Sequence, residues 1–453
     1  MSTSELEQYQ VDHLFLLVGE NPLPNYVAAK TLLKQGGKPY LVFTEHTQKP
    51  AKRLQDILGL GDNETVPLDN NESNPWEIQK RIRAKIKDIQ DNRDNVQFGL
   101  NYTGGTKAMA VHAYQALLQP RLEGARYKLN PEPIFSYLDS RQLKMLIDQQ
   151  ANPMPLDIPK ELLDFSLDKL FKLHGFKLSK PPKTEVTFPD LVEAIVNHQS
   201  EWKTWSSEVL SLEAREKEEI GSVQNNNKPE KIIKLGDLKN APELREIELH
   251  LQKLPQVITD IMQQKNLLTE QGCLSIQKIE NSEIIPKPSK PRRKYPGEIC
   301  KWLEGVWLED YVLQTLKNIQ QEEQEEIDNN KKEEEERLID EVGMSFNFPE
   351  NADIGYFEFD VAFLRGYQLF ALSCTTDTEP GLCKLKLFEA YRRARQMGGD
   401  EARVALICCC DKPENIKKGF RSQIPDKKVN VFGSGHLANL SAELKAWIKE
   451  VDN

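Results

Sequence analysis

Blocks of continuous apolar residues alternate with stretches of helical spacing over the first third of the chain. Residues 12–18 read as a buried strand, 19–25 as a loop, and 26–34 as a helix that packs through Val27, Ala28, Leu32 and Leu33. Gly36 and Gly37 stop it. The pattern then predicts a strand at 39–44, a helix at 49–58, a short strand at 65–68, an amphipathic helix at 76–90 and a strand at 96–100. Further strands around 135–138 and 143–147 close the unit near residue 150. Such alternation with fully apolar strands predicts an α/β, Rossmann-like domain: a parallel sheet covered on both faces.

The strand at 96–100 runs into Asn101-Tyr102-Thr103-Gly104-Gly105-Thr106-Lys107, and a helical pattern runs out of it. A strand-to-helix turn of this kind suits a phosphate. The glycines let backbone approach a ligand, the helix start leaves N–H groups unpaired, and Thr103, Thr106 and Lys107 add hydroxyls and one positive charge. In open parallel sheets, ligands bind beyond the carboxyl ends of the strands. Both the 19–25 loop and the 101–107 turn leave from that edge. Neither has the GxGxxG or GxxxxGK spacing, so dinucleotide and ordinary ATPase chemistry lose support.

Three prolines (Pro153, Pro155, Pro159) mark a linker, and residues 160–290 carry mixed helical patterns, a polar loop-like stretch at 224–231, and Trp202 and Trp205 as anchors of a small core. No chemistry attaches to this middle region. A proline- and lysine-rich stretch, 286–296, is the next boundary. Beyond it, Trp302, Leu303, Val306, Trp307, Tyr311 and Leu316 form the apolar face of a helix that also carries Glu304 and Glu309, and an acidic segment is expected to interrupt it. A strand at 344–348 follows, then a hairpin, 355–364 and 367–376, whose alternation puts Glu358 and Asp360 on one face. A helix at 384–397 and a buried strand at 402–410 complete the order. Three units result: 1–150, 151–296 and 297–453.

Composition changes little of this. The 453 residues, 39% hydrophobic and 29% charged, exceed one ordinary core. No run reaches the ~18 apolar residues of a membrane helix, and residues 1–10 lack a signal-peptide core, so a cytoplasmic protein without a membrane partner is expected. Seven cysteines without a CxxC pair suggest buried reduced thiols. Much of the net charge of −10 comes from residues 320–336, so basic patches at 287–294 and at Arg392, Arg393 and Arg395 remain open to a role.

Two stretches carry a resemblance. Leu17-Val-Gly-Glu-Asn-Pro-Leu-Pro-Asn25 and Tyr102-Thr-Gly-Gly-Thr-Lys-Ala-Met109 resemble the loops of CARF domains, the CRISPR-associated Rossmann folds that sense cyclic oligoadenylates in type III CRISPR systems. The resemblance implies a homodimer whose paired loops hold a ring of adenylates, cyclic tetra-adenylate first among them. It places Asn21, Asn25, Thr44, Thr103, Gly104, Gly105, Thr106 and Lys107 near that ligand. A symmetric polyanion fits a two-fold pair of N–H-rich turns.

The C-terminal third resembles the restriction-endonuclease-like, PD-(D/E)xK domain of CARF-linked nucleases, through Gly305-Val-Trp-Leu-Glu309, Glu358-Phe-Asp360-Val and Gly398-Gly399. The family match makes Glu309 and Asp360 ligands of Mg²⁺ or Mn²⁺ in cleavage of DNA or RNA. Where the family has Glu-x-Lys, this chain has Ser373-Cys374-Thr375. Ser373 and Thr375 offer hydroxyls, and Ser373 could hold a metal-bound water, yet neither replaces the lost charges. Glu389 and Lys384 or Lys386 on the following helix, and Asp377, are candidate substitutes. If none serves, the domain is a catalytically dead binding module. A third reading has the N-terminal domain slowly cutting its own activator through Thr106 or Lys107.

Overall fold

The computed structural model describes residues 6–451 except 92–94, 120, 123–124, 127–128, 140–141, 150–151, 226–227, 283–294, 330, 332, 334–335 and 350–356. The basic stretch at 287–294 and the start of the hairpin at 355–356 lie outside these.

Strands β1 (Val11–Leu17), β2 (Leu33–Phe43), β3 (Thr65–Pro67), β4 (Phe98–Asn101), β5 (Ile134–Asp139), β6 (Lys144–Ile147) and β7 (Met154–Asp157) form one sheet in the order β3-β2-β1-β4-β5-β6-β7. The first five positions are parallel, and β6 and β7 add antiparallel. Alternation along β1 explains why both faces are covered. Phe15 and Leu17 pack with α3 (Pro75–Gln90) and α4 (Lys107–Leu118), whereas Leu14 and Leu16 pack with α1 (Leu23–Leu32). Each such side chain contributes about 1.5–3 kcal/mol on burial. Helix α2 (Gln48–Leu58) ends on Gly59 at φ +68°. Strand β7 comes from the proline-marked linker, and Pro155 fits there because an edge strand has no outer ladder to supply.

The middle region is built into the fold. After α5 (Leu167–Leu173) and α6 (Pro189–Asn197), the polar stretch expected to be a loop lies within a two-stranded ribbon, Arg215–Asn225 paired with Lys228–Leu238. Trp202 and Trp205 are buried with ring centroids 4.9 Å apart, and Trp202 Nε1 donates to the Leu303 carbonyl at 3.2 Å.

A helical turn, Tyr295–Lys301, passes through a π-segment, Trp302–Val306, into α7 (Trp307–Asp328). Helix α7 runs on into the acidic segment and ends within it, at Asp328. Its Glu and Gln residues favour helix, and Ile319 and Glu323 turn inward, Glu323 accepting from the Leu338 N–H at 3.0 Å. Strands β8 (Glu341–Phe348), β9 (Phe357–Arg365), β10 (Gln368–Thr375), β11 (Arg403–Cys408) and β12 (Val429–Phe432) follow in sheet order, antiparallel from β8 to β10 and parallel from β10 to β12. Helices α8 (Pro380–Gly398), α9 (Pro413–Arg421) and α10 (Leu440–Glu450) cover it. One face shares a core with α1 of the N-terminal sheet, through residues such as Phe171, Phe346 and Phe348; the other packs on α7 and the middle region. All seven cysteines are free and buried except the half-buried Cys409.

Candidate functional sites

Strands β1 and β4 are neighbours, and the chain leaves β1 toward β2 but β4 toward β5. The crevice between their carboxyl ends is therefore the topological switch point of the sheet. The loops after β1 and β4 touch there. A Cβ on Gly19 would stand 3.2 Å from the Gly105 nitrogen, a Cβ on Gly104 would collide with the Leu17 carbonyl oxygen, and Gly105 has φ +75°. Only glycine permits this approach.

Most of the polar side chains named from sequence hold the loops in shape. Asn25 is fully buried and its Nδ2 donates to the Leu17 carbonyl at 2.9 Å. Thr103 Oγ1 accepts from the Leu138 N–H at 2.6 Å. Thr106 caps α4, accepting from the Met109 N–H and donating to the Glu72 carbonyl, both at 3.2 Å. Thr44 is buried and its N–H donates to Thr47 Oγ1 at 3.0 Å. That leaves Gly105, Thr106 and Lys107 as the exposed tip, with Gly104 half-buried behind them. Gly104→Ala is expected to abolish binding at this crevice, because the methyl meets backbone; loss of ligand-induced thermal stabilisation with normal far-UV circular dichroism checks it.

Asn21 is turned the other way. Its Oδ1 accepts from the Leu23 N–H at 3.0 Å and lies 3.1 Å from His174 Nε2, and its amide packs on Gly399 at the end of α8. Burial pulls His174 down to about 4, so the imidazole is neutral at pH 7. Asn21, His174 and the outer face of α8 line a cleft of about 990 Å³.

The second site lies on the C-terminal sheet. Glu309 projects from the first turn of α7 and Asp360 from β9. Asp360 Oδ2 accepts from the Cys374 N–H at 2.7 Å and from Ser373 Oγ at 3.0 Å, so β10 orients it. Burial, then the charges of Asp360, Glu358 and Asp310, hold the Glu309 carboxyl well above the usual carboxylate range. Burial likewise raises Asp360, against the two hydrogen bonds. Lys386, on α8, offsets both from across the site. Lys384 points elsewhere, its Nζ 5.7 Å from the Phe388 ring centroid and close to Gly419. Thr375 Oγ1 donates to Asp377 Oδ2 at 3.0 Å, and Glu389 adds to the negative charge around Asp360.

Among the described residues no three His, Cys, Asp or Glu side chains form a metal cluster. Two carboxylates nonetheless fit Mg²⁺ or Mn²⁺, hard cations that keep several waters and take one or two carboxylates beside substrate phosphate. Asp360 has its second oxygen outside the two hydrogen bonds, and repulsion between the acids calls for a cation. The neighbouring Asp310 is not available. It is fully buried and holds Lys183 Nζ at 2.8 Å, the Thr187 N–H at 3.2 Å and Trp302 Nε1 at 2.5 Å. Sequence spacing could not single out Lys386, since only the packing of α8 across β10 decides which lysine faces the acids.

A doubly wound sheet with glycine loops abutting at its switch point defines a Rossmann-like ligand-binding domain. Residues 14–120 match the family model of the Card1 CARF domain, and the N-terminal unit is a Rossmann-like CARF domain. By structure the chain is similar to the protein VC1899 from Vibrio cholerae, with TM-score 0.66, 13% identity and coverage of 97% of this chain and 98% of that one. It is also similar to Can2 from Sulfobacillus thermosulfidooxidans, solved in complex with cyclic tetra-adenylate, with TM-score 0.61, 15% identity and coverage of 96% and 99%. These likenesses show the fold of the whole chain. No curated protein matches it by sequence. Among the described residues no helix is long and apolar enough to cross a membrane.

Proposed function

We propose that the chain is a type III CRISPR effector in which a cyclic oligoadenylate, cyclic tetra-adenylate first, binds a homodimer of CARF domains and licenses metal-dependent cleavage of DNA or RNA at Glu309 and Asp360. One observation carries this reading: a CARF domain with abutting glycine loops shares its chain with a recessed carboxylate pair faced by a lysine. Glu309 and Asp360 would hold the Mg²⁺ or Mn²⁺, which when bound polarises a phosphodiester and lowers the pKa of water. Cys374 N–H and Ser373 keep Asp360 in one orientation, and Lys386 supplies positive charge to the phosphate that Ser373-Cys374-Thr375 does not.

The ring must meet two crevices at once, and α4 supplies a surface for pairing them. Val111 and Leu118, seven positions apart on one face of α4, are 53% and 49% exposed, and Trp76 at the start of α3 is 74% exposed. An apolar stripe starting one turn from Lys107 suits a second copy of the chain. Val111→Asp is expected to turn the dimer into a monomer in light scattering and to weaken ring binding. A variant that stays dimeric places the interface elsewhere.

Labelled single-stranded and duplex DNA and RNA, incubated with Mn²⁺ and with or without cyclic tetra-adenylate, test the whole reading. Cleavage is expected only with both. The missing Glu-x-Lys favours a second reading, a ring-binding effector whose C-terminal domain only binds. Tight ring binding without cleavage in any combination selects it.

A further inference from the structure

The cleft of about 990 Å³ beside Asn21 takes its walls from two parts of the chain. Glu20 and Asn21, in the loop after β1, and His174, just past α5, form one; Phe388, Tyr391, Arg392 and Gln396, at helical spacing on α8, form most of the other. One short loop thus has two neighbours. Gly19 lies against Gly105 in the crevice of the N-terminal sheet, and two residues further on Asn21 lies against Gly399 at the end of α8.

The joint at Asn21 is not locked. The neutral imidazole of His174 carries one N–H but faces two oxygens, the Leu170 carbonyl at 2.9 Å from Nδ1 and Asn21 Oδ1 at 3.1 Å from Nε2. Whichever nitrogen holds the proton, the other turns a lone pair toward an oxygen, so the loop can part from this floor at little cost.

Over that floor the walls carry opposite charges that do not meet. Glu20 and Arg392 are exposed, and neither side chain makes a hydrogen bond or an ion pair among the described residues. Other charges of the α8 wall are engaged. Arg395 is held by Asp426 and lies over the Tyr391 ring, and Glu389 adds its charge to the surroundings of Asp360.

We propose that this cleft is a joint that closes when the crevice captures its ligand. A ring seated on Gly104 and Gly105 bears on Gly19, the loop after β1 moves onto α8, and Glu20 pairs with Arg392 across the narrowed cleft. The ring binds more tightly where the pair forms, and linkage makes the pair favour the ring by the same factor. This rests on the ring-sensing reading and needs no cleavage.

Calorimetric titration of the full chain with cyclic tetra-adenylate, for wild type, Glu20→Arg, Arg392→Glu and the double reversal, tests the joint. Arg392 stands on α8, outside the crevice, so Arg392→Glu is expected to weaken ring binding about threefold through the joint alone. The double reversal should bind about tenfold more tightly than the product of the two single effects predicts. Bulk charge does not do this. Glu20→Arg brings a positive charge toward a polyanion and Arg392→Glu takes one away, and two changes acting only through the field on the ring would multiply. The milder Glu20→Gln and Arg392→Gln cover any misfolding of the reversals, checked by melting; combined, they should lose no more than either alone. Wild-type affinity in Arg392→Glu, or single effects that simply multiply, overturns the proposal and leaves the sensor reading standing. No ring binding by wild type removes both.

Discussion

Glu309→Gln and Asp360→Asn are each expected to cut ring-activated cleavage on the order of 10³-fold, since a carboxylate-held cation is worth several kcal/mol of transition-state charge. On stability Glu309→Gln should act in the opposite direction. Burial and the charges of Asp360, Glu358 and Asp310 raise the Glu309 carboxyl above its ordinary 4.5. A carboxyl raised on folding holds its proton more tightly in the native state. Its contribution is complete below the unfolded value and is lost as pH rises through the folded one. Asp360 is shifted the same way. In EDTA the wild-type Tm should therefore fall more than that of Glu309→Gln as pH rises above the ordinary carboxyl value of 4.5. The variant should gain about 1 °C for each kcal/mol relieved, given an unfolding entropy of about 2.1 cal/mol/K per residue over 453 residues. Mn²⁺ should raise the wild-type Tm and leave the variant nearly unmoved. Equal melting of the two at the higher pH, with no Mn²⁺ response in either, removes the carboxylate pair as a cation site.

Lys386→Ala is expected to lower the single-turnover rate about 10²–10³-fold, the usual loss for one positioned charge at a developing oxyanion. Lys384→Ala should leave it near wild type, because that ammonium lies over Phe388 and beside α9. Lys386→Arg, which keeps the charge, should recover part of the rate. Equal losses at the two positions would mean that α8 contributes bulk positive charge and no single group.

The difference between these lysines marks where sequence reading stops. The strands β1 and β3 to β6 stand in the apolar runs, whereas β2 starts at Leu33 and carries Gly36 and Gly37 within it, where the pattern puts a helix end; the glycine loops declare themselves because no other residue fits where Gly104 meets Leu17. Alternation and helical spacing place Asp360 on β9 and Glu309 on α7, but only the resemblance of their segments to a nuclease core singles them out as candidate ligands. The middle ribbon escapes such reading because its first strand opens on Arg215-Glu-Lys-Glu-Glu219, a charged run without the period-two signal. The continuation of α7 escapes it because a run of acids reads as solvated chain, although glutamate is a good helix former. Sequence adjacency puts Asn21 with the loops, while its side chain answers to His174 and Gly399, distant in the chain. Partners of that kind have no local signature.

One apolar core runs from α1 through the aromatic cluster of Phe171, Phe346, Phe348, Phe357 and Phe359 into the C-terminal sheet. The two ends of the polypeptide are consequently not interchangeable parts. A chimera that grafts either end onto a relative's counterpart inherits mismatched rings at the seam, so diversification of this architecture has to proceed by co-ordinated change on both sides of it.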